Sequence, residues 1–411
     1  MSTAQEGPRL VRWRHEEQVL SALRSRGAMR RAELASAVGL SRTTLSEIVT
    51  DLIHRGAVRI VDTDAVDRRG SGRPAELLSL DPRAGQFLGI DLAHAAVHVA
   101  IIDASHEVIA ERQRPIASDA PWRDRIATAL RIIDDIEAEG TRFDALQGVG
   151  VGLPGSHSSA WSIDHPRARR NSDEAREAVR REIERRFGLT PMLDVNTRLA
   201  ALAQAVHSGE PEKELIYLRV ADGIGGGVVV GGRLIHGAAG LAGEFGHVTV
   251  RRDGRRCRCG KRGCLETVAS VPAVLESCRE RGLDLAGPED LGRAADCADP
   301  VLEEVLRESG TAVGHVLATT VLALNPTDIV VGGVLPRIAP VFLDQVSSTI
   351  TFEVHPIDGA RPRVRSSEVT DSGGAMGAIV ALLHRTSLLA DYPGGLDGPS
   401  SPTREGDHHV R

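Results

Sequence analysis

Within residues 247–264 the chain places one histidine and three cysteines, His247, Cys257, Cys259 and Cys264. An imidazole and three thiols in so short a loop match the tetrahedral nitrogen and sulfur preference of structural Zn²⁺. Four protein ligands leave no position for a catalytic water, so the metal would order the loop rather than react. Three thiolates around one Zn²⁺ leave a local charge of about −1, which Arg255, Arg256, Arg258, Lys261 and Arg262 are placed to offset. The alternative is three unrelated free thiols; clustered cysteines beside a histidine favour the metal. Cys278 and Cys297 fall outside the cage and read as small buried or half-buried residues.

At 411 residues the chain can hold a small domain and one or two lobes with substantial cores. Aromatics make up only 3% of it, so Ala, Val, Leu and Ile must fill those cores. No apolar run is long enough to span a membrane and the N-terminus does not read as a signal peptide, which predicts a cytoplasmic protein with reduced thiols and no membrane partner. The formal net charge of −6 is unevenly spread: residues 1–80 hold 13 arginines and 10 acids, a net of +3, which leaves −9 for the remainder. That asymmetry permits a DNA-binding head on an acidic body.

The head has the punctuation of a helix-turn-helix. From His15 to Arg26, Val19, Leu20 and Leu23 recur at helical spacing until Gly27 stops the run. A second short helix over Arg31 to Val38 carries Leu34, Ala35 and Val38 on one face, and Gly39-Leu40 makes the turn. Ser41 is placed to cap a third helix whose buried stripe is Leu45, Ile48, Val49, Leu52 and Ile53, ending at Gly56. Short strands at Ala57 to Asp62 and Ala75 to Leu80 flank Arg68-Arg-Gly-Ser-Gly-Arg-Pro74, a wing whose Arg73 could enter a minor groove. The stripe leaves Arg42, Thr43, Ser46 and Glu47 at the start of the third helix, the end of a recognition helix that meets base edges. A small dimerisation bundle with a solvated arginine face is the competing reading.

The body begins with strands at Phe87 to Asp91, Val97 to Asp103 and Val108 to Gln113, a helix around Trp122 to Glu139, and a Gly-punctuated strand at Leu146 to Leu153. A polar loop follows Trp161 and contains Arg167, Arg169 and Arg170. A second set runs Leu215 to Val220, Val228 to Val230 and Val248 to Arg251, then a long helix near Val301 to Leu324 and a strand at Asp328 to Val331. Pattern alone supports a two-lobed α/β body.

The pattern Gly243-Glu-x-Gly-His247, then Cys257-x-Cys259-Gly-x-x-x-Cys264-Leu-Glu266, resembles the ROK family of bacterial sugar kinases and sugar-responsive transcription regulators. The resemblance covers roughly residues 86 to 385, with Val149-Gly-Val-Gly-Leu-Pro-Gly155, Gly223-Ile-Gly-Gly-Gly227, Gly231-Gly-Arg233 and Val330-Val-Gly-Gly333 in the family's order. It implies an α/β chain in which a winged helix-turn-helix precedes a two-lobed actin-like, ribonuclease-H-like (ASKHA) body. Carrying the family's sugar contacts over by position gives Asn196, Glu244, His247 and Glu266. Carboxylates suit that task because two oxygens can accept from adjacent ring hydroxyls. Glu244 and Glu266 could instead be partners of the cage or loop caps. His247 would serve twice, one ring nitrogen on the metal and the other toward the sugar or a backbone carbonyl.

Three features that the resemblance assigns to kinases are altered. The phosphate loop, normally Asp-Leu-Gly-Gly-Thr, is Asp91-Leu92-Ala93-His94-Ala95, where side chains replace glycines that let backbone approach phosphate. Asp194-Val195-Asn196 stands over Glu-Asn-Asp, so the general base becomes Asn196, an amide without useful basicity. Ala221-Asp222-Gly223 stands for Gly-Thr-Gly, and a carboxylate there would repel ATP phosphates unless a metal intervened. Gly223, Gly225, Gly226 and Gly227 then read as turn and packing glycines. Val195 also removes one polar sugar contact.

The sequence therefore predicts an N-terminal arm (1–14), a winged helix-turn-helix (15–82), a sugar-kinase-like effector domain (86–388) with a zinc loop at 244–266, and a disordered tail (389–411). The expected function is a DNA-binding regulator, most simply a repressor of carbohydrate genes. Its partners would be a double-stranded operator, a sugar or sugar-derivative effector, and further copies of itself as a dimer or tetramer. An ATP-dependent sugar kinase with a DNA-binding head and a ligand-independent DNA-binding regulator are the alternatives.

Overall fold

The computed structural model describes residues 15–383 except 16–17, 24–25, 55–56, 64–75, 82–84, 104–107, 144–145, 156–165, 208–213, 355–360 and 370–372. The expected arm, the tail, the stop at Gly56 and the wing tip with Arg73 lie outside the described residues. In the head, residues 18–23 are helical, followed by β1 (Met29–Arg30), α1 (Arg31–Val38), α2 (Arg42–His54), β2 (Val58–Thr63) and β3 (Glu76–Leu80). The turn residues behave as their chemistry requires. Gly39 caps α1 at φ 69°, a left-handed conformation that glycine adopts without strain. The Ser41 hydroxyl accepts the Thr44 N–H at 3.2 Å at the start of α2. Val19, Leu23, Leu34, Leu45, Val49, Leu52 and Leu78 close one core beneath a sheet ordered β1-β3-β2. The two-residue β1, too short for a periodicity signal, was not expected; it pairs Met29 with Leu78.

The body repeats one sheet topology. The first lobe contains β4 (Gln86–Asp91), β5 (Ala96–Asp103), β6 (Val108–Pro115), α3 (Trp122–Ala138), β7 (Leu146–Leu153), α4 (Pro166–Phe187), β8 (Met192–Val195) and α5 (Asn196–His207). Its sheet runs β6-β5-β4-β7-β8, antiparallel across β4 to β6 and parallel from β4 through β7 to β8. The second lobe contains β9 (Leu215–Val220), β10 (Ile224–Val230), β11 (Arg233–Leu234), α6 (Glu266–Ala269), α7 (Val271–Glu280), α8 (Pro288–Asp296), α9 (Pro300–Leu324), β12 (Asp328–Gly333), α10 (Val334–Ile338), α11 (Pro340–Glu353) and β13 (Arg363–Ser366), after which α12 (Gly373–Leu383) returns to pack on β4 and β7 of the first lobe. Its sheet, β11-β10-β9-β12-β13, has the same antiparallel-then-parallel order. Two such sheets in tandem make the actin-like, ribonuclease-H-like body.

Small residues let these layers close with few aromatics. A Cβ at Gly150 would lie 2.9 Å from the Ala378 side chain, and one at Gly377 would collide with the Leu199 carbonyl, so α12 rests directly on β7 and α5. Four expectations need correction. Cys278 is buried as expected, but Cys297 is exposed. The stretch with Arg167, Arg169 and Arg170 is part of α4 rather than a loop: Ala175, Val179 and Ile183 recur every fourth residue and are buried, but charged neighbours mask that stripe. Val248 to Arg251 is not a strand, because only Thr249 bridges to Cys264 and the segment follows the cysteine loop instead. Gly225, Gly226 and Gly227 are not turn residues but lie inside β10, where a Cβ at Gly227 would sit 2.5 Å from that of Ala201; their packing role stands.

Gly292, inside α8, has open space around it. Gly292→Ala should raise the thermal midpoint, by the equivalent of roughly 0.5–1 kcal/mol, whereas Gly377→Ala should lower it. Calorimetry of the full chain gives both signs, and a rise for Gly377→Ala would contradict the close approach of α12 to α5.

Candidate ligand cleft and metal centre

The cysteine loop has few apolar residues and is held by short-range bonds. The Cys257 N–H donates to Lys261 O at 2.8 Å, Gly260 N–H to Cys257 O at 2.9 Å and Gly263 N–H to Arg255 O at 2.9 Å. Gly263 stands at φ 66°, and a Cβ there would run into the Arg251 carbonyl. This winding brings one ligand atom from each of His247, Cys257, Cys259 and Cys264 within 4.8 Å of the others. The Cys257 Sγ to His247 Nδ1 and Cys259 Sγ to Cys264 Sγ distances are both 3.6 Å. Those are close to the ~3.8 Å edge of a tetrahedron with metal–sulfur bonds of about 2.3 Å. The residues therefore fit a metal ion. Burial, with smaller contributions from Cys259 and Cys257, pushes the Cys264 thiol up to about 12, so it stays protonated until a cation displaces the proton. Among the expected charge-balancing residues, Arg255 pairs with Glu276 and Glu280, Arg258 with Glu266, and Lys261 Nζ donates to His247 O.

His247 joins this cage to a cleft between the lobes. With Nδ1 on the cage side, its Nε2 lies 3.9 Å from Glu244 Oε2, and both residues line a cavity of about 210 Å³. Burial lowers the His247 pKa, Glu266 opposes that shift, and Arg258 and Lys261 add to it, so the ring is held neutral as a metal ligand requires. The first lobe contributes His94, Val195, Asn196 and Thr197 to the cavity; the second contributes Arg219, Asp222, Gly223, Gly225 and Arg258. Of the four expected sugar contacts, Asn196, Glu244 and His247 meet there. Glu266 stands behind the wall, where Oε2 accepts the Ile224 N–H at 3.1 Å and Arg258 Nη2 at 2.9 Å. The sequence reading missed His94, Thr197 and Arg219 as lining groups. His94 was visible only as a disrupted phosphate loop, and the inward-facing Arg219 of β9 gives no signal in a strand of otherwise apolar residues.

At the cleft floor, Asn196 Nδ2 donates to Asp91 Oδ1 at 3.0 Å, with both side chains buried. Asp91 also lies against the first turn of α12, where a Cβ at Gly374 would collide with its carboxylate. A negative group at that end suits the helix dipole. The pair seals three element ends together and leaves a polar cavity of only about 70 Å³ next to Arg219, Arg337, Ser366 and Ser367.

A second, half-buried carboxylate fixes the wall that carries Glu244. Asp194 accepts from Arg198 Nη1 at 2.9 Å and the Val195 N–H at 2.7 Å, and its other oxygen lies 2.7 Å from His236 Nε2. Arg198 Nη2 donates to Gly240 O at 2.9 Å, which reaches the loop leading to Glu244. Burial pulls the Asp194 pKa up, but the bond to His236, the charges of Arg198 and His236 and the Val195 N–H outweigh it and hold it low. Stability from this network is present above ordinary carboxylate pKa values and is lost as pH falls through the lowered one.

On the head, Arg42, Thr43, Ser46 and Glu47 are all exposed on α2, at and just after its first turn. Among the described residues, no helix is long and apolar enough to cross a membrane.

The ROK family model matches residues 87–385. The chain is 25% identical to the xylose repressor of Caldicellulosiruptor bescii over 395 residues, 91% of this chain and 96% of that protein. It is 25% identical to the DNA-binding transcriptional repressor Mlc of Escherichia coli, covering 88% and 92%. Among solved structures it is similar to a ROK family transcriptional regulator described as a homolog of E. coli Mlc, with a TM-score of 0.72, 23% identity and coverage of 92% and 98%. The ROK hexokinase of Thermus thermophilus aligns with a TM-score of 0.57 and 25% identity over 72% of this chain and 97% of its own.

Elemental analysis of the purified chain should find one metal ion per molecule. Cys264→Ser should remove it and lower the melting temperature, and metal uptake should release protons and weaken as pH is lowered. Fully stable, metal-free protein with reactive thiols would contradict the cage.

Proposed function

The chain belongs to the ROK family, and we propose that it is a sequence-specific, DNA-binding transcription regulator, most simply a repressor, whose kinase-like body binds a sugar effector. The observation that carries this reading is the pairing of an intact helix-turn-helix head with a cleft whose would-be base is an amide, Asn196, bonded to Asp91. The relatives named as repressors match along the head as well as the body, whereas the hexokinase match spans 72% of the chain.

In this reading residues 15–82 are the DNA-binding domain and 86–388 the effector domain. Arg42, Thr43, Ser46 and Glu47 of α2 read base edges in the major groove, and Arg73 of the wing reaches the minor groove. Zn²⁺ occupies the His247, Cys257, Cys259 and Cys264 cage as a structural ion, which the three-sulfur, one-nitrogen donor set favours. Asn196 on one lobe and Glu244 and His247 on the other grip the sugar hydroxyls. Glu266 supports them through the Ile224 backbone and Arg258. Closure of the cleft moves the two heads of a dimer, or of paired dimers in a tetramer, and spoils the half-site spacing that paired recognition helices need.

In this reading phosphoryl transfer is lost, and three features of the cleft support that. His94 lines the cleft where the family's kinases carry a glycine and Ala95 where they carry a threonine, Asp222 faces the same space, and Asn196 cannot accept the hydroxyl proton. The cavities of about 210 and 70 Å³ are also below the roughly 300–1,000 Å³ of typical ligand pockets, which suits a monosaccharide better than a nucleotide.

Arg42→Ala should weaken binding to a selected operator by about 1–3 kcal/mol and relax its sequence preference, read by fluorescence anisotropy at fixed salt. Incubation with ATP, Mg²⁺ and a panel of hexoses should give no sugar phosphate; turnover at ordinary kinase rates would overturn the proposal.

A further inference from the structure

Arg125, near the start of α3, is only 3% exposed, and its N–H groups go to backbone carbonyls rather than to a carboxylate. Nε donates to Ala120 O at 3.2 Å, Nη2 to Ala117 O at 3.1 Å and Ser118 O at 2.8 Å, and Nη1 to His94 O at 3.0 Å and to Ala93 O. Every donor of the guanidinium is used. Burial lowers the Arg125 pKa and the charge of exposed Asp119 opposes that, but the group keeps its proton, so a positive charge is enclosed here. An apolar side chain would fill the space with less desolvation, and Ala117 and Ser118 are exposed, where water can serve their carbonyls. What the planar fork adds is a fixed geometry between two loops.

One of those loops is the cleft lining at Ala93–Ala95. Its three carbonyls are all engaged on the side of β6 and α3: two accept from Arg125, and Ala95 O accepts the Ile116 N–H at 3.0 Å. The peptides are trans, so each N–H points opposite to its carbonyl, and those of His94 and Ala95 turn toward the cavity that both residues line. None of the three residues has a positive φ, so hydrogen bonds rather than backbone strain set the turn. Resting on the effector reading above, we propose that Arg125 is a positioning residue of the effector cleft, which presets the turn at Ala93–Ala95, and with it the His94 ring, before a ligand arrives. The same side chain couples that turn to the exposed one at Ala117–Ala120. A ligand gripping the first lobe then meets a wall that is already ordered, which avoids the entropy loss a loose turn would suffer on binding.

Backbone hydrogen exchange of the full-length, metal-loaded protein, read by mass spectrometry, tests this with Arg125→Lys and Arg125→Ala. In Arg125→Lys, which keeps the charge and loses the fork, amides in 92–96 and 116–121 should exchange about ten-fold faster while those of β5 and β7 hold. Ethylguanidinium added to Arg125→Ala should slow both segments again, and ethylammonium at the same concentration should not. Titration of the same samples with a panel of hexoses, pentoses and their N-acetylamino and acidic derivatives reads the cleft. Whichever sugar binds the wild-type chain should bind Arg125→Lys about ten-fold more weakly. The inference is overturned if both segments keep wild-type exchange, if exchange rises evenly through the lobe with no preference for ethylguanidinium, or if a loosened turn leaves sugar affinity unchanged. If no sugar in the panel binds the wild-type chain, the effector reading is what falls, and the exchange measurements alone decide whether Arg125 presets the turn.

Discussion

His247 connects two tasks that neither of its neighbourhoods could manage alone. The loop from Arg251 to Gly263 carries almost no apolar residues, and its internal bonds are short-range turns. What gathers it is the convergence of His247 Nδ1 with three cysteine sulfurs, and the opposite nitrogen of the same ring faces Glu244 and the cleft. A metal in the cage fixes the ring's tautomer and therefore what the cleft offers a ligand. With a metal held there, the order of this wall would follow from metal chemistry more than from hydrophobic burial.

Around that point the body is assembled from two equivalent sheets packed through glycine and alanine. With few aromatics, close contact is achieved by omission: Gly150 against Ala378, Gly227 against Ala201, Gly377 against the Leu199 carbonyl. Rigid lobes joined this way suit a protein that responds to a small ligand by moving one lobe against the other. The Asp194, Arg198 and His236 network has the complementary role, tying the start of α5 to the loop that carries Glu244.

Much of this was legible in the sequence because the chemistry was local. Gly39 and Ser41 marked the helix-turn-helix, Leu146–Leu153 and Leu215–Val220 were bounded by their own apolar runs, and cysteine spacing announced the cage. Elements that depend on distant partners were not legible. β1 is two residues long, α4 hides three apolar residues among arginines and glutamates, and β10 begins with glycines that look like a turn until Tyr217, Phe245 and Ala201 are seen beside them. In the cleft, Glu244 and His247 were readable from their motif. The position of Glu266 behind the wall was not, since only the fold reveals that its carboxylate meets the Ile224 N–H. Arg219 and His94 gain their place in the cleft only through the fold, which brings both to one cavity.

The most direct test of the account is selection of DNA fragments from a genomic pool by the purified full-length protein, repeated with candidate sugars present. The account predicts recovery of a palindromic site that one sugar or sugar derivative releases. Failure to enrich any sequence would contradict it and return the cleft to the kinases it resembles.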